Sequence, residues 1–238
     1  MIRYRIRYSK EGAARFISHL DMVRTFERVV RRASLPVSLS EGFNPHPKFG
    51  FGFPLPVGMA GQSEYVDLML DSAMDPDQIV SSLERAMPPG LRVTGACLVE
   101  EEKSALMAQV ERSVYQVRAA REELPKGVET LRKCLEDMMG MQEITISRRK
   151  KDGRNVIFDI RPGLLAFSVR EDEAAVVIEM ELMTSSSLNV RPEEVIEAVR
   201  GHCGLLNNDC HLDFTRTGIA GPGGKDLFRQ GGKDKSRG

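Results

Sequence analysis

The chain has 238 residues, with 34 Lys and Arg against 34 Asp and Glu, so its formal net charge is zero. That length holds one large or two small domains with a real core, and 41% hydrophobic with 29% charged residues excludes wholesale disorder. No run reaches the ~18 apolar residues of a membrane span, and Arg3, Arg5 and Arg7 interrupt the start too early for a signal peptide. Four Cys without a secretory segment point to a reducing, cytoplasmic setting rather than a disulfide framework.

The neutral sum hides unlike parts. Residues 1–60 carry 10 Lys and Arg against 4 Asp and Glu, a net of +6. Residues 61–214 carry a net of −10, and 215–238 a net of +4. A basic face attracts phosphates whatever the total charge, although a charge run alone reads equally well as a solvated helix face.

In chain order, Ile2 to Ser9 alternates apolar residues with Arg3, Arg5 and Arg7, the period of a strand with one basic face. Ser18 and Asp21 form a capping-box-like helix start at Ser18-His19-Leu20-Asp21. Leu20, Val23, Phe26, Val30 and Ala33 make the apolar stripe of that helix, Arg24, Arg28, Arg31 and Arg32 decorate the rest, and Pro36 stops it. A short strand at 37–40, the loop Glu41 to Lys48 and a return strand from Phe49 to Phe53 follow. Glu64 to Leu70 reads as a strand, Asp75-Pro76 to about Met87 as a helix and Leu91 to Val99 as a strand.

The second half repeats the order. Strands are expected over Arg112 to Ala119, Glu143 to Arg149, Asn155 to Ile160, 164–169, 175–183 and 210–216, with helices over Pro125 to Met139 and Pro192 to His202. Lys151-Asp152-Gly153 makes a hairpin turn. The pattern predicts an α+β fold of two tandem ferredoxin-like (split βαβ) modules with antiparallel sheets. The first module spans 1–100 and the second 101–217, with Glu100, Glu101, Glu102 and Glu111 in an acidic stretch, 100–112, that reads as a connector or a short helix. Residues 218–238, rich in Gly, Lys and Arg, read as a flexible basic tail.

The sharpest local signal is Gly42-Phe43-Asn44-Pro45-His46-Pro47-Lys48. Two prolines restrict the backbone around His46, and a His and a Lys held beside Phe43 suit phosphate contact with base stacking; a stiff structural crossover is the competing reading. His19, in the first turn of the basic helix, is placed to meet a phosphate or to stand at the surface beside Asp21. Paired, His19 and His46 have the residue types for acid–base cleavage of RNA, an activity that needs no metal. His202-Cys203 and Cys210-His211 are weak metal candidates, since neighbours on a strand point to opposite faces. Cys97 and Cys134 read as packed residues, and no cofactor motif is present.

The runs Arg15-Phe-Ile-Ser-His-Leu-Asp21, Arg24 to Ala33 and Ser40 to Lys48, with Pro54-Leu-Pro-Val-Gly58, Glu64-Tyr65 and Asp159-Ile-Arg-Pro162, resemble the radical-SAM-linked domain family of bacteria, over about residues 1–217. The resemblance implies work beside a radical SAM protein, with gene neighbours among ribosomal proteins and an RNase E/G-type nuclease. Without cluster cysteines the chain generates no radical itself. Tandem ferredoxin-like modules are also similar in architecture to CRISPR repeat-processing endoribonucleases, whose catalytic His and late Gly-rich loop compare with His19 and Gly218–Gly224.

The expected function is therefore RNA binding or an adaptor role beside a radical SAM enzyme, with no catalysis of its own. Arg3, Arg5, Arg7, Arg24, Arg28, Arg31, Arg32 and Lys48 would meet phosphates, while Phe43, Asn44 and His46 would meet a base or the partner. An endoribonuclease or RNA-modifying enzyme using His19 and His46, and a purely protein-binding module, are the alternatives.

Overall fold

The computed structural model describes residues 1–99, 104–149 and 152–228. The expected acidic connector residues Glu100, Glu101 and Glu102, Lys151 of the hairpin turn and 229–238 of the expected tail lie outside the described residues. The fold is mixed α+β with mostly antiparallel strand pairing. It divides into two units, Met1–Val110 with Gly218–Gly238, and Glu111–Thr217.

The first unit runs β1 (Ile2–Lys10), α1 (His19–Arg32), β2 (Phe49–Phe51), β3 (Ala60–Leu70), α2 (Pro76–Ala86), β4 (Leu91–Leu98) and the single turn α3 (Leu106–Gln109). Its sheet order is β4-β1-β3-β2, each neighbouring pair antiparallel. The period of two in β1 sends Tyr4, Ile6 and Tyr8 to one face, where they meet Met22, Phe26, Val29 and Val30 of α1 and Ile79 and Leu83 of α2. Burying each such side chain contributes about 1.5–3 kcal/mol, which is what fixes both helices to this face.

Ser18 Oγ accepts from the Asp21 N–H at the start of α1, and the Ser18 hydroxyl donates to the Asp21 carboxylate, so one half of the capping box forms. Asp75 caps α2 in the same way, with Pro76 at its first turn. The expected strand at 37–40 is reduced to two isolated bridges, Val37 with Leu70 and Leu39 with Pro47. Pro36 and Pro47 bring no N–H to a ladder there.

The second unit runs β5 (Arg112–Ala120), α4 (Val128–Gly140), β6 (Thr145–Arg149), β7 (Asn155–Asp159), β8 (Leu164–Glu171), β9 (Ala175–Met183), α5 (Pro192–Cys203) and β10 (Leu212–Ala220), whose residues from Gly218 on belong to the first unit. Its sheet order is β10-β5-β9-β8, while β6 and β7 form a separate hairpin turning at Gly153, whose φ of +83° suits glycine. The Arg148 side chain of that hairpin grips Glu194 of α5 with two bonds of 2.8 Å, and its guanidinium lies 4.0 Å from the Phe158 ring centre.

Two expectations are corrected. Cys134 of α4 and Cys203 of α5, 69 residues apart, are joined as a disulfide with their Cα atoms 6.1 Å apart, against the expectation of unpaired thiols. The described part of the expected flexible tail is ordered by packing: Ile219 and Leu227 are buried with Tyr65, Leu106 and Val110. Apolar side chains at intervals in a glycine-rich segment hold it down, where the glycines alone suggest a linker.

Candidate nucleic-acid interface

With Met22, Phe26, Val29 and Val30 buried, the opposite face of α1 must look outward, and Arg24, Arg28, Arg31 and Arg32 are all exposed on it. Arg24 lies 3.3 Å from the Asp21 carboxylate. The side chains of Arg28, Arg31 and Arg32 make no ion pair or hydrogen bond among the described residues. Arg31 and Arg32 sit in the last turn, where the helix dipole favours cations.

The loop between α1 and β2 is closed at its base by backbone bonds from Ser40 N–H to the His46 carbonyl (2.8 Å) and from Lys48 N–H to the Ser38 carbonyl (2.9 Å). The His46 N–H adds a bond of 3.0 Å to Ser40 Oγ. Gly42 turns the chain with φ +114°, which a side chain would resist. At the tip Phe43 is fully exposed and Asn44 is exposed beside it. His46 Nδ1 lies 3.3 Å from Glu27 Oε1, which seats the loop against α1. Glu27 is three residues after Arg24 and four before Arg31, so the loop borders the guanidinium row rather than lying elsewhere on the helix. Lys48 is half-buried, its Nζ 3.6 Å from Met1 Sδ.

The arginines of β1 do not join this face. Arg5 is 3% exposed and bonded to Asp67 through Nε (2.7 Å) and Nη2 (3.0 Å), to Gln109 Oε1 (3.0 Å) and to the Leu227 carbonyl (2.8 Å). Arg3 donates to the Ser104 carbonyl at 3.0 Å, and Arg7 to Thr94 Oγ1 at 3.1 Å. The alternation that marks a strand with one basic face is real, but that face is covered by residues 104–109 and 219–228 of the same unit. Arg5 is thus corrected from a phosphate contact to a buried structural cation.

The two histidines meet different partners. His19 packs edge-on against Phe51 with ring centres 5.4 Å apart, while Glu27, the partner of His46, stands eight residues, about 12 Å, further along α1. His19 lines a cavity of about 20 Å³ with Tyr8, Lys10, Glu64 and Tyr65, which is room for about one water and far below the ~300 Å³ of a ligand pocket. Lys10 Nζ there donates to the Ile17 carbonyl at 2.7 Å. A larger groove of about 560 Å³ lies between α4 and β8, lined by Leu135, Met139, Phe167 and Val169 with Arg132 at its rim.

The metal candidates are not gathered. Cys203 is spent on the disulfide, and His211 faces Asp213 at 3.9 Å. Cys210 Sγ lies 3.9 Å from the Glu123 carbonyl, and burial pushes its thiol up to about 11. No group of three or more His, Cys, Asp or Glu suited to a metal occurs among the described residues. No helix among them is long and apolar enough to cross a membrane.

Sequence reasoning missed Asp67, Gln109 and Tyr65, because their roles depend on contacts far apart in the chain. The one available signal is the acidic Asp67 in the otherwise apolar run Tyr65 to Leu70, which asks for a buried cation opposite it.

Residues 3–192 match the pattern of a family described as an uncharacterised protein conserved in bacteria. No curated protein matches the sequence. Among solved structures, a Cbf5-Nop10-Gar1 complex is similar at 12% identity with a TM-score of 0.48; the match covers 91% of this chain and 49% of that one, so this chain spans about half its length. An unknown protein from Galdieria sulphuraria is similar at 11% identity and a TM-score of 0.25, over 91% of this chain and 99% of that one. Likenesses this distant carry no argument about function.

Proposed function

The chain belongs to DUF2344, the family of uncharacterised proteins conserved in bacteria, and from the face built by α1 and the 41–48 loop we propose that it binds RNA there. The observation that carries the reading is the row Arg28, Arg31 and Arg32, exposed and without ion-pair partners among the described residues, with the loop that carries the exposed Phe43 seated on the same helix through His46 and Glu27. Guanidinium groups take phosphate oxygens in a bidentate fork, and a free aromatic ring on a stiff loop gives a base something to stack on. Arg24 on the same helix face and Asn44, His46 and Lys48 on the loop serve the same contact.

Binding rather than cleavage fits the histidines, since His19 faces Phe51 and His46 faces Glu27. The element order β-α-β-β-α-β and the sheet order β4-β1-β3-β2 support reading the first unit as a ferredoxin-like module; β10-β5-β9-β8 supports the same for the second. The partner suggested by the sequence resemblance is a radical SAM enzyme in the cytoplasm, to which this chain delivers RNA. Fluorescence anisotropy with labelled single-stranded RNA at low salt tests the reading. The parent chain binds, and the R28E/R31E/R32E variant loses most of that affinity. Equal binding by both sinks it.

A further inference from the structure

We propose that the sheet face opposite the helices carries a second site, a slot for one nucleobase of single-stranded RNA, which the chain's own Phe228 occupies. The class of ligand rests on the RNA reading above; the slot rests on its own geometry. Period two places Arg5 and Arg7 of β1, Tyr65 and Asp67 of β3 and Gly95 of β4 on this one face, with Arg7 paired in register to both Tyr65 and Gly95.

Phe228 lies against two flat groups there. Its ring runs within 10° of parallel to Tyr65 with centres 5.9 Å apart, and the Arg7 guanidinium carbon stands 4.5 Å from its centre. Arg7 is held in that attitude by its bond to Thr94 Oγ1. The floor is open only because residue 95 is glycine: a Cβ there would come within 2.7 Å of the Phe228 ring. At the slot's edge Arg5 Nη1 donates to the Leu227 carbonyl at 2.8 Å. With Leu227 and Phe228 withdrawn, that N–H faces the slot and needs an acceptor.

A slot walled by a guanidinium plane and a tyrosine ring, with a buried cationic donor at its edge, suits a base carrying a ring carbonyl. The occupant is exchangeable because its hold is small. Among the described residues the last backbone pairing of the 219–228 segment is the bridge of Ala220 with Asp226, and beyond it only the Leu227 side chain and carbonyl and the half-exposed Phe228 ring face the sheet. Phe228 therefore competes with RNA for the slot.

Uridine 5′-monophosphate is the probe, because one nucleotide gains little from the arginine row. Phe228→Ala raises its affinity about tenfold over the parent, the worth of one stacked base, and so does a chain ended after Asp226. The gain persists in the R28E/R31E/R32E background and disappears when Arg7→Ala is added. If F228A and the shortened chain, both folded by circular dichroism, bind the nucleotide no better than the parent, the slot is only packing and the proposal is wrong. A gain that survives alongside a parent indifferent to RNA keeps the slot and removes the α1 reading.

Discussion

Asp67→Asn removes one charge from the buried pair that Arg5 makes, and the structure sets the size of the effect. The Arg5 guanidinium has four bonds, two of them to the Asp67 carboxylate at 2.7 and 3.0 Å, and both side chains are 3% exposed. Asparagine keeps the shape but accepts on one atom only, and its amide hydrogens face the guanidinium N–H groups. What remains is a cation held out of water by the neutral acceptors Gln109 and Leu227. Stranding a buried charge in this way costs about 3–5 kcal/mol. For a chain of this size that lowers the midpoint of thermal unfolding by about 6–20 °C. The double change R5M/D67L, which removes both charges, recovers most of the loss, because an apolar pair of similar volume avoids the desolvation penalty. Calorimetry of the parent, D67N and the double variant checks this. A D67N loss below about 1 kcal/mol would mean that water reaches the pair, and the account of the covered β1 face would fail.

Three further outcomes follow from the same structure. Burial pushes the Cys97 thiol up to about 11, above its ordinary 9.0, so the folded state holds that proton more tightly than the unfolded one. Its contribution to stability is present in full below pH 9.0 and is lost as the pH climbs through about 11; denaturant titrations across that range detect it, and Cys97→Ala removes it. Reducing the bond between Cys134 and Cys203 frees a loop spanning 69 residues and lowers the stability of the second unit by up to about 4 kcal/mol, read as a lower urea midpoint in the presence of dithiothreitol. Phe43→Ala leaves unfolding unchanged, because the ring is fully exposed, but weakens binding of single-stranded RNA by about 1–3 kcal/mol in anisotropy titrations.

Local pattern made most of the elements legible. Period two identified β1, and Ser18 and Asp75 marked the starts of α1 and α2 within a residue of where they begin. The exposed arginines of α1 and the stiff 41–48 loop were also readable, because both depend on neighbours in the chain. What the sequence withheld was long-range. Arg5 looked like Arg28 until Asp67, 62 residues away, and Leu227, 222 residues away, closed over it. Cys134 and Cys203 looked like separate residues until α4 and α5 brought their Cα atoms within 6.1 Å. Phe228 was hidden among glycines and lysines, and only its place against Tyr65 and Arg7 distinguishes it from linker.

The salt dependence of binding to single-stranded RNA tests the central claim most directly. Three guanidinium groups that each neutralise a phosphate give a slope of about −2 in log affinity against log salt, since each contact on a single strand contributes about −0.7. The account predicts that slope or a steeper one for the parent, flattened by about 2 in R28E/R31E/R32E. No binding at low salt, or a slope that the triple variant leaves unchanged, contradicts it.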